Sequence, residues 1–125
     1  MKLYADTSPG LNIFTRYGEG YVVVNQARFE LPLLALPDRV ETDWTPHPID
    51  ALTSQDLRHL AACGAAIVLL GTGARQRFLP PALLVPLMEA GIGFEAMTTA
   101  AACRTYNILA SEGRPVAAAL FSEPS

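Results

Sequence analysis

The run Ala65-Ala66-Ile67-Val68-Leu69-Leu70, followed at once by Gly71-Thr72-Gly73, constrains this chain most. Six apolar residues in a row offer no polar face to water, so they read as a strand covered on both sides. Gly64 interrupts the wider apolar stretch, residues 61–70, which is too short to cross a bilayer. A strand of this kind needs helices to cover it, and the flanking sequence supplies them. Thr53 or Ser54 can cap a helix reaching about Cys63, with Leu57, Leu60 and Ala61 as its apolar stripe and Gly64 as its stop. A second helix is expected between Pro80 and Ala90. There Pro86 demands either a start near Leu83, which puts it in the first turn, or a bend. Residues 92–96 read as a short strand, a third helix capped by Thr98 or Thr99 ends at Gly113, and residues 115–121 form the last strand.

The first third has a different texture. Residues 12–17 and 21–24 are β-prone runs around Gly18-Glu19-Gly20, the pattern of a hairpin. Residues 26–31 continue that strand or pair beside it. Pro32 and Pro37 punctuate the chain, and residues 40–44 suggest one more short strand before Pro46 and Pro48. The expected fold is α/β: a mixed β-sheet with helices, in which N-terminal antiparallel hairpins precede an α-β-α-β-α-β series. Right-handed crossovers would place the later strands in one sheet, within a single domain of residues 1–125.

Bulk properties narrow the function. Half of the 125 residues are hydrophobic and 17% are charged, a globular composition. The net charge is −3 and the basic residues are scattered, with only Arg75 and Arg77 close together. Nucleic-acid binding needs a basic stripe, so no nucleic acid is expected as partner. Cys63 and Cys103 stand apart and form no metal or redox motif. Residues 1–6 lack the apolar core of a secretory signal. A cytoplasmic protein without membrane insertion, metal or cofactor is expected.

Two constellations are candidates for a ligand or partner contact. Gly71, Thr72, Gly73 and Arg75 follow the apolar strand, where open α/β sheets bind ligands. Glycine lets a backbone approach an anion, and Arg75 could hold one. Gln76 stands where a dinucleotide fingerprint needs its third glycine, and no Lys-Ser/Thr pair follows, so no nucleotide motif is present. The plainer role of this loop is a structural turn. Glu95, Thr99, Tyr106 and Asn107 form the second set. Thr99, Cys103, Tyr106 and Ala110 share one helical face, and Arg75 could meet Glu95 if that face lies against the loop. Their plainer roles are caps, ion pairs and core packing. Elsewhere, His59 and Cys63 lie at helical spacing, which suggests a weak thiol–imidazole candidate, and Trp44 reads as an anchor closing one end of the core. No catalytic set emerges.

One resemblance joins these pieces. Gly71-Thr72-Gly73, Pro80 or Pro81, Gly91-Ile92, Glu95-Ala96-Met97-Thr98-Thr99, Thr105-Tyr106-Asn107-Ile108-Leu109 and Glu112-Gly113-Arg114-Pro115-Val116-Ala117-Ala118-Ala119-Leu120 occur in that order. The string resembles the MTH938-type domain family, which includes bacterial uncharacterised proteins and the mitochondrial respiratory complex I assembly factor 3. The resemblance implies a compact α/β fold with a mixed sheet, and it brings no catalytic residues with it. Gly71, Gly73, Glu95, Thr99, Tyr106 and Asn107 are the positions that match the family's distinctive motif. Two functional readings follow. One is a protein-binding or assembly module, with another protein or a second copy as partner. The other is a small-molecule or anion-binding protein, weak catalysis included, that uses the Gly71-Thr72-Gly73 loop with Arg75 and Glu95.

Overall fold

The computed structural model describes residues 10–123. The expectation about residues 1–6 lies outside the described residues.

The apolar run becomes an inner strand. Chain order gives β1 (Phe14–Gly18), β2 (Tyr21–Val24), β3 (Ala27–Glu30), β4 (Leu33–Leu36), β5 (Arg39–Glu41), α1 (Ser54–Ala61), β6 (Ile67–Thr72), α2 (Val85–Glu89), β7 (Gly93–Met97), α3 (Thr99–Ser111) and β8 (Val116–Phe121). A five-stranded mixed sheet runs β5-β4-β8-β6-β7, with β6 parallel to both β7 and β8. The hairpin strands form a separate antiparallel sheet, β1-β2-β3. Of the early strands, β4 and β5 extend the main sheet, while β1, β2 and β3 form the second sheet that packs against its other face.

Alternation along the strands builds two cores. Val68, Leu70, Ala117, Ala119 and Phe121 point to one face and pack with Leu57, Leu60 and Leu87 of α1 and α2. Leu69, Val116, Ala118 and Leu120 point to the other, against Cys103 and Tyr106 of α3 and Phe14 and Val22 of the small sheet. All six β8 residues are buried, and its three alanines keep the central strand thin.

One strand departs from expectation. The stretch between Pro32 and Pro37 reads as punctuation, yet it holds β4, whose four residues are all buried and which pairs with both β5 and β8. Each proline falls just outside the strand, where no ladder N–H is required.

The helix starts follow their local chemistry. Thr53 caps α1 through a reciprocal box: its hydroxyl accepts the Asp56 amide, and the Asp56 carboxylate accepts the Thr53 amide. Asp56 is buried and also accepts from the Thr45 hydroxyl at 2.7 Å, while the His47 ring nitrogen lies 2.8 Å away. A 3-10 turn at Pro81–Leu84 leads into α2, so Pro86 sits in the first turn, where its missing amide removes no helical bond. Thr98 caps α3 by accepting the Ala101 amide. Among the described residues, no helix is long and apolar enough to cross a membrane.

The two parallel crossovers lie on opposite faces, α2 in the first core and α3 in the second. The chain therefore diverges at the carboxyl ends of β6 and β7. Open α/β sheets favour ligand binding at such a switch point.

Candidate functional site

Two buried threonines set the loop that leaves β6. Thr72 has no exposed surface. Its hydroxyl lies 2.7 Å from the Arg75 carbonyl and 3.0 Å from the Met97 carbonyl, and it accepts the Arg77 amide at 3.2 Å. Thr99 grips the next residue from both sides. Its hydroxyl accepts the Gly73 amide at 2.8 Å and donates to the Phe121 carbonyl at 2.7 Å, while its amide donates to the Gly73 carbonyl at 2.9 Å. Gly71 permits this closeness, since a Cβ there would fall 3.1 Å from the Thr99 Cα and 2.7 Å from a Leu120 methyl. Gly73 adopts φ +93, and a Cβ would meet the Glu123 backbone at 3.0 Å. Gly71, Thr72, Gly73 and Thr99 are thus brought together as one hydrogen-bonded unit.

Arg75 does not meet Glu95. Its Nε lies 3.4 Å from Glu123 Oε1, and Arg77 Nη2 donates to the same oxygen at 2.9 Å. The Ala74 amide donates to Glu123 Oε2 at 2.7 Å. The Arg77 hydrogen bond, then the Ala74 amide, hold the Glu123 carboxyl below its ordinary value, with Arg75 adding to the effect. Glu95 instead lies exposed on β7, the last strand of the sheet, in register with Leu69. Phe94 and Ala96, its chain neighbours, turn into the first core, so Glu95 projects from the other face.

Tyr106 and Asn107 lie farther along α3 and hold the small sheet in place. The Tyr106 hydroxyl donates to the Asn12 carbonyl at 2.9 Å, and its ring meets Phe14 edge-on at 4.9 Å. Burial pushes the Tyr106 hydroxyl upward, well above the ordinary tyrosine value. Asn107 accepts the Phe14 amide and donates to the Phe14 carbonyl, both at 2.8 Å. Its amide does for β1 what a neighbouring strand would do. The helical stripe Thr99, Cys103, Tyr106 and Ala110 is buried throughout.

Other sequence candidates resolve into structure. His59 does not pair with Cys63; its Nε2 lies 2.7 Å from Glu41 Oε1 and its ring stacks on Trp44. Trp44 in turn packs edge-on against Phe121, the anchoring role expected of it.

A cleft of about 460 Å³ opens at the carboxyl ends of the parallel strands. Gly73, Ala74 and Glu123 form one wall, the amino end of α3 a second, and the β1–β2 turn with Tyr17 a third. Another cleft, of about 500 Å³, lies at the opposite end of the sheet beside Cys63, Gly64 and Pro115. The first joins the hydrogen-bonded loop to the switch point and is the stronger candidate.

The sequence reading missed a third feature. Residues 78–88, Phe-Leu-Pro-Pro-Ala-Leu-Leu-Val-Pro-Leu-Met, carry no charged side chain. From this segment Phe78 is 81% exposed, Met88 71% and Val85 44%. A charge-free run holding three prolines is the signal that could have marked it, because those prolines prevent one long helix from burying the run. A groove of about 280 Å³ borders Phe78 and Arg77.

Comparison with known proteins agrees with this architecture. A crystal structure of a Bordetella parapertussis protein matches with TM-score 0.83 and 40% identity, covering 94% of this chain and 100% of that one. The solution structure of a Mth938-like domain from Bordetella pertussis matches with TM-score 0.79 and 36% identity, over 97% of this chain and 92% of that one. Among curated proteins, the NADH dehydrogenase [ubiquinone] 1 alpha subcomplex assembly factor 3 of Danio rerio is 32% identical over 122 residues, 96% of this chain and 69% of its own length. A Francisella tularensis protein named 13 kDa major membrane protein is 29% identical over 104 residues, 82% of this chain and 85% of its own. Residues 14–121 match the family of proteins of unknown function DUF498/DUF598, and the chain belongs to that family.

Proposed function

We propose that this protein is a protein-binding module of the assembly-factor kind, docking through the ridge of segment 78–88, meaning its exposed Phe78, Val85 and Met88 side chains. The observation that carries this reading is the concentration of exposed apolar surface in one segment. Of the four large hydrophobic residues left exposed among the described residues, three belong to residues 78–88. Covering one such side chain gains about 1.5–3 kcal/mol. Relatives named as assembly factors support the same reading. A cytoplasmic setting is part of the proposal and suits two free, buried thiols.

The test is a binding comparison. The partner recovered with the wild-type chain from its own cells is purified and titrated against Phe78→Asp/Met88→Asp, with Ile108→Asp on α3 as a matched surface change. The double variant should lose at least tenfold in affinity while its circular dichroism stays unchanged, and Ile108→Asp should bind normally. Equal binding by all three proteins would remove the ridge from the account.

A further inference from the structure

The loop after β6 is built to hold an anion, and the chain fills it with one of its own. Three donors converge on the Glu123 carboxylate: the Ala74 amide on one oxygen, and Arg77 Nη2 and Arg75 Nε on the other. Backbone N–H groups beside guanidinium groups recognise oxyanions in this way. Gly73 is part of the fit, since a Cβ there would lie 2.8 Å from Glu123 Oε2. Thr72 and Thr99 hold the loop backbone, so the donors need no rearrangement to receive an anion. Two arginines face a single carboxylate. Arg77 Nε is buried without a hydrogen-bond partner, and the Arg75 side chain is 76% exposed. Donor capacity therefore exceeds what Glu123 uses. Ala74 and Glu123 also line the 460 Å³ cleft, so a group displacing Glu123 from the Ala74 amide has room there for the rest of its molecule.

We propose that Ala74, Arg75 and Arg77 form an oxyanion-binding site, held at rest by Glu123 and open to a carboxylate or phosphate group on another molecule that displaces it. Glu123 acts as an internal competitor. Its proximity gives it a high effective concentration, so an outside anion binds the wild-type chain weakly. This site is independent of the apolar ridge and stands whether or not the ridge binds protein.

The experiment follows backbone amides by NMR. Sodium succinate and inorganic phosphate are titrated separately into wild-type, Glu123→Gln and Glu123→Ala proteins at constant ionic strength. The expected result is a saturable shift of the Gly73, Ala74 and Arg77 amides in both variants, with affinity at least fivefold above wild type. Adding Arg75→Ala or Arg77→Lys to Glu123→Gln should reverse the gain. Saturation by succinate alone assigns a carboxylate ligand, and by phosphate alone a phosphoryl ligand; either supports the site. No saturable shift with either anion would overturn the proposal, as would equal affinity in the wild type and the Glu123 variants. Retained affinity after both arginine changes would overturn it too.

Discussion

Replacing Asn107 by alanine tests how the two sheets are joined. The Asn107 side chain makes two buried 2.8 Å hydrogen bonds, one from the Phe14 amide and one to the Phe14 carbonyl. Phe14 lies on β1, the edge strand of the small sheet, where a register shift interrupts its pairing with β2. Asn107→Ala leaves an amide and a carbonyl buried without partners. Each such loss costs about 1–3 kcal/mol, so the pair should cost about 3–4 kcal/mol. At about 3 °C per kcal/mol for a chain of this size, the melting temperature should fall by about 10 °C. Urea denaturation followed by circular dichroism gives the free energy directly. Hydrogen exchange gives the location, because the Phe14 amide should lose protection before the β6 amides do. Asn107→Asp should be no better, since it keeps an acceptor for the amide but turns a second one toward the carbonyl. A loss below about 1 kcal/mol with Phe14 still protected would show that Asn107 does not hold the β1 backbone.

Three more outcomes follow from local geometry. Gly71→Ala should destabilise by about 1–3 kcal/mol in urea denaturation, because its new methyl overlaps Leu120 and presses on the Thr99 backbone. For Asp56, burial favours protonation, but hydrogen bonds from the Thr53 amide, Thr45, His47 and the Thr53 hydroxyl outweigh it and lower the pKa from 3.8. A lowered folded value means the ionised cap adds stability above the unfolded pKa and loses it as pH falls through the folded one. The stability gap between wild type and Asp56→Asn should thus be full at pH 7 and shrink as the pH drops below 3.8. Burial raises the Cys103 thiol to about 12, against a small opposing effect of Arg104. Iodoacetamide at pH 8 should therefore leave Cys103 unmodified in the native protein and label it readily in urea, read by mass spectrometry.

The main architecture was legible because its signals are local. An uninterrupted apolar run, threonine caps at residues 53 and 98 and glycine stops mark β6, α1 and α3 without reference to the rest of the chain. β4 was harder to see. Leu33-Leu34-Ala35-Leu36 is only four residues long, and the flanking prolines are also the signature of a turn. The loop's anion partner was hidden for another reason. Glu123 lies 46 residues from Arg77 in sequence, and nothing local distinguishes it from any other tail carboxylate. Glu95 looked better placed because it leaves the neighbouring strand, but it stands exposed on β7 and Arg75 faces Glu123 instead. Tyr106 and Asn107 did fall on the expected helix. Their partners, Asn12 and Phe14, come from the far end of the chain and could not be inferred from helical spacing. Within residues 78–88 Leu87 is buried while Phe78, Val85 and Met88 stay exposed, a division that hydrophobicity alone does not reveal.

Site-specific photo-crosslinking tests the docking claim most directly. A photoreactive phenylalanine analogue is placed at position 78 and, in a separate protein, at position 108 on α3. Both side chains are exposed, at 81% and 60%, so solvent access alone favours neither strongly. Illumination in the cells that make the protein should give one discrete adduct from position 78, lost on adding Met88→Asp, and none from position 108. An identical adduct pattern from both positions, or no adduct from position 78 while the partner still co-purifies, would contradict the ridge as the docking surface.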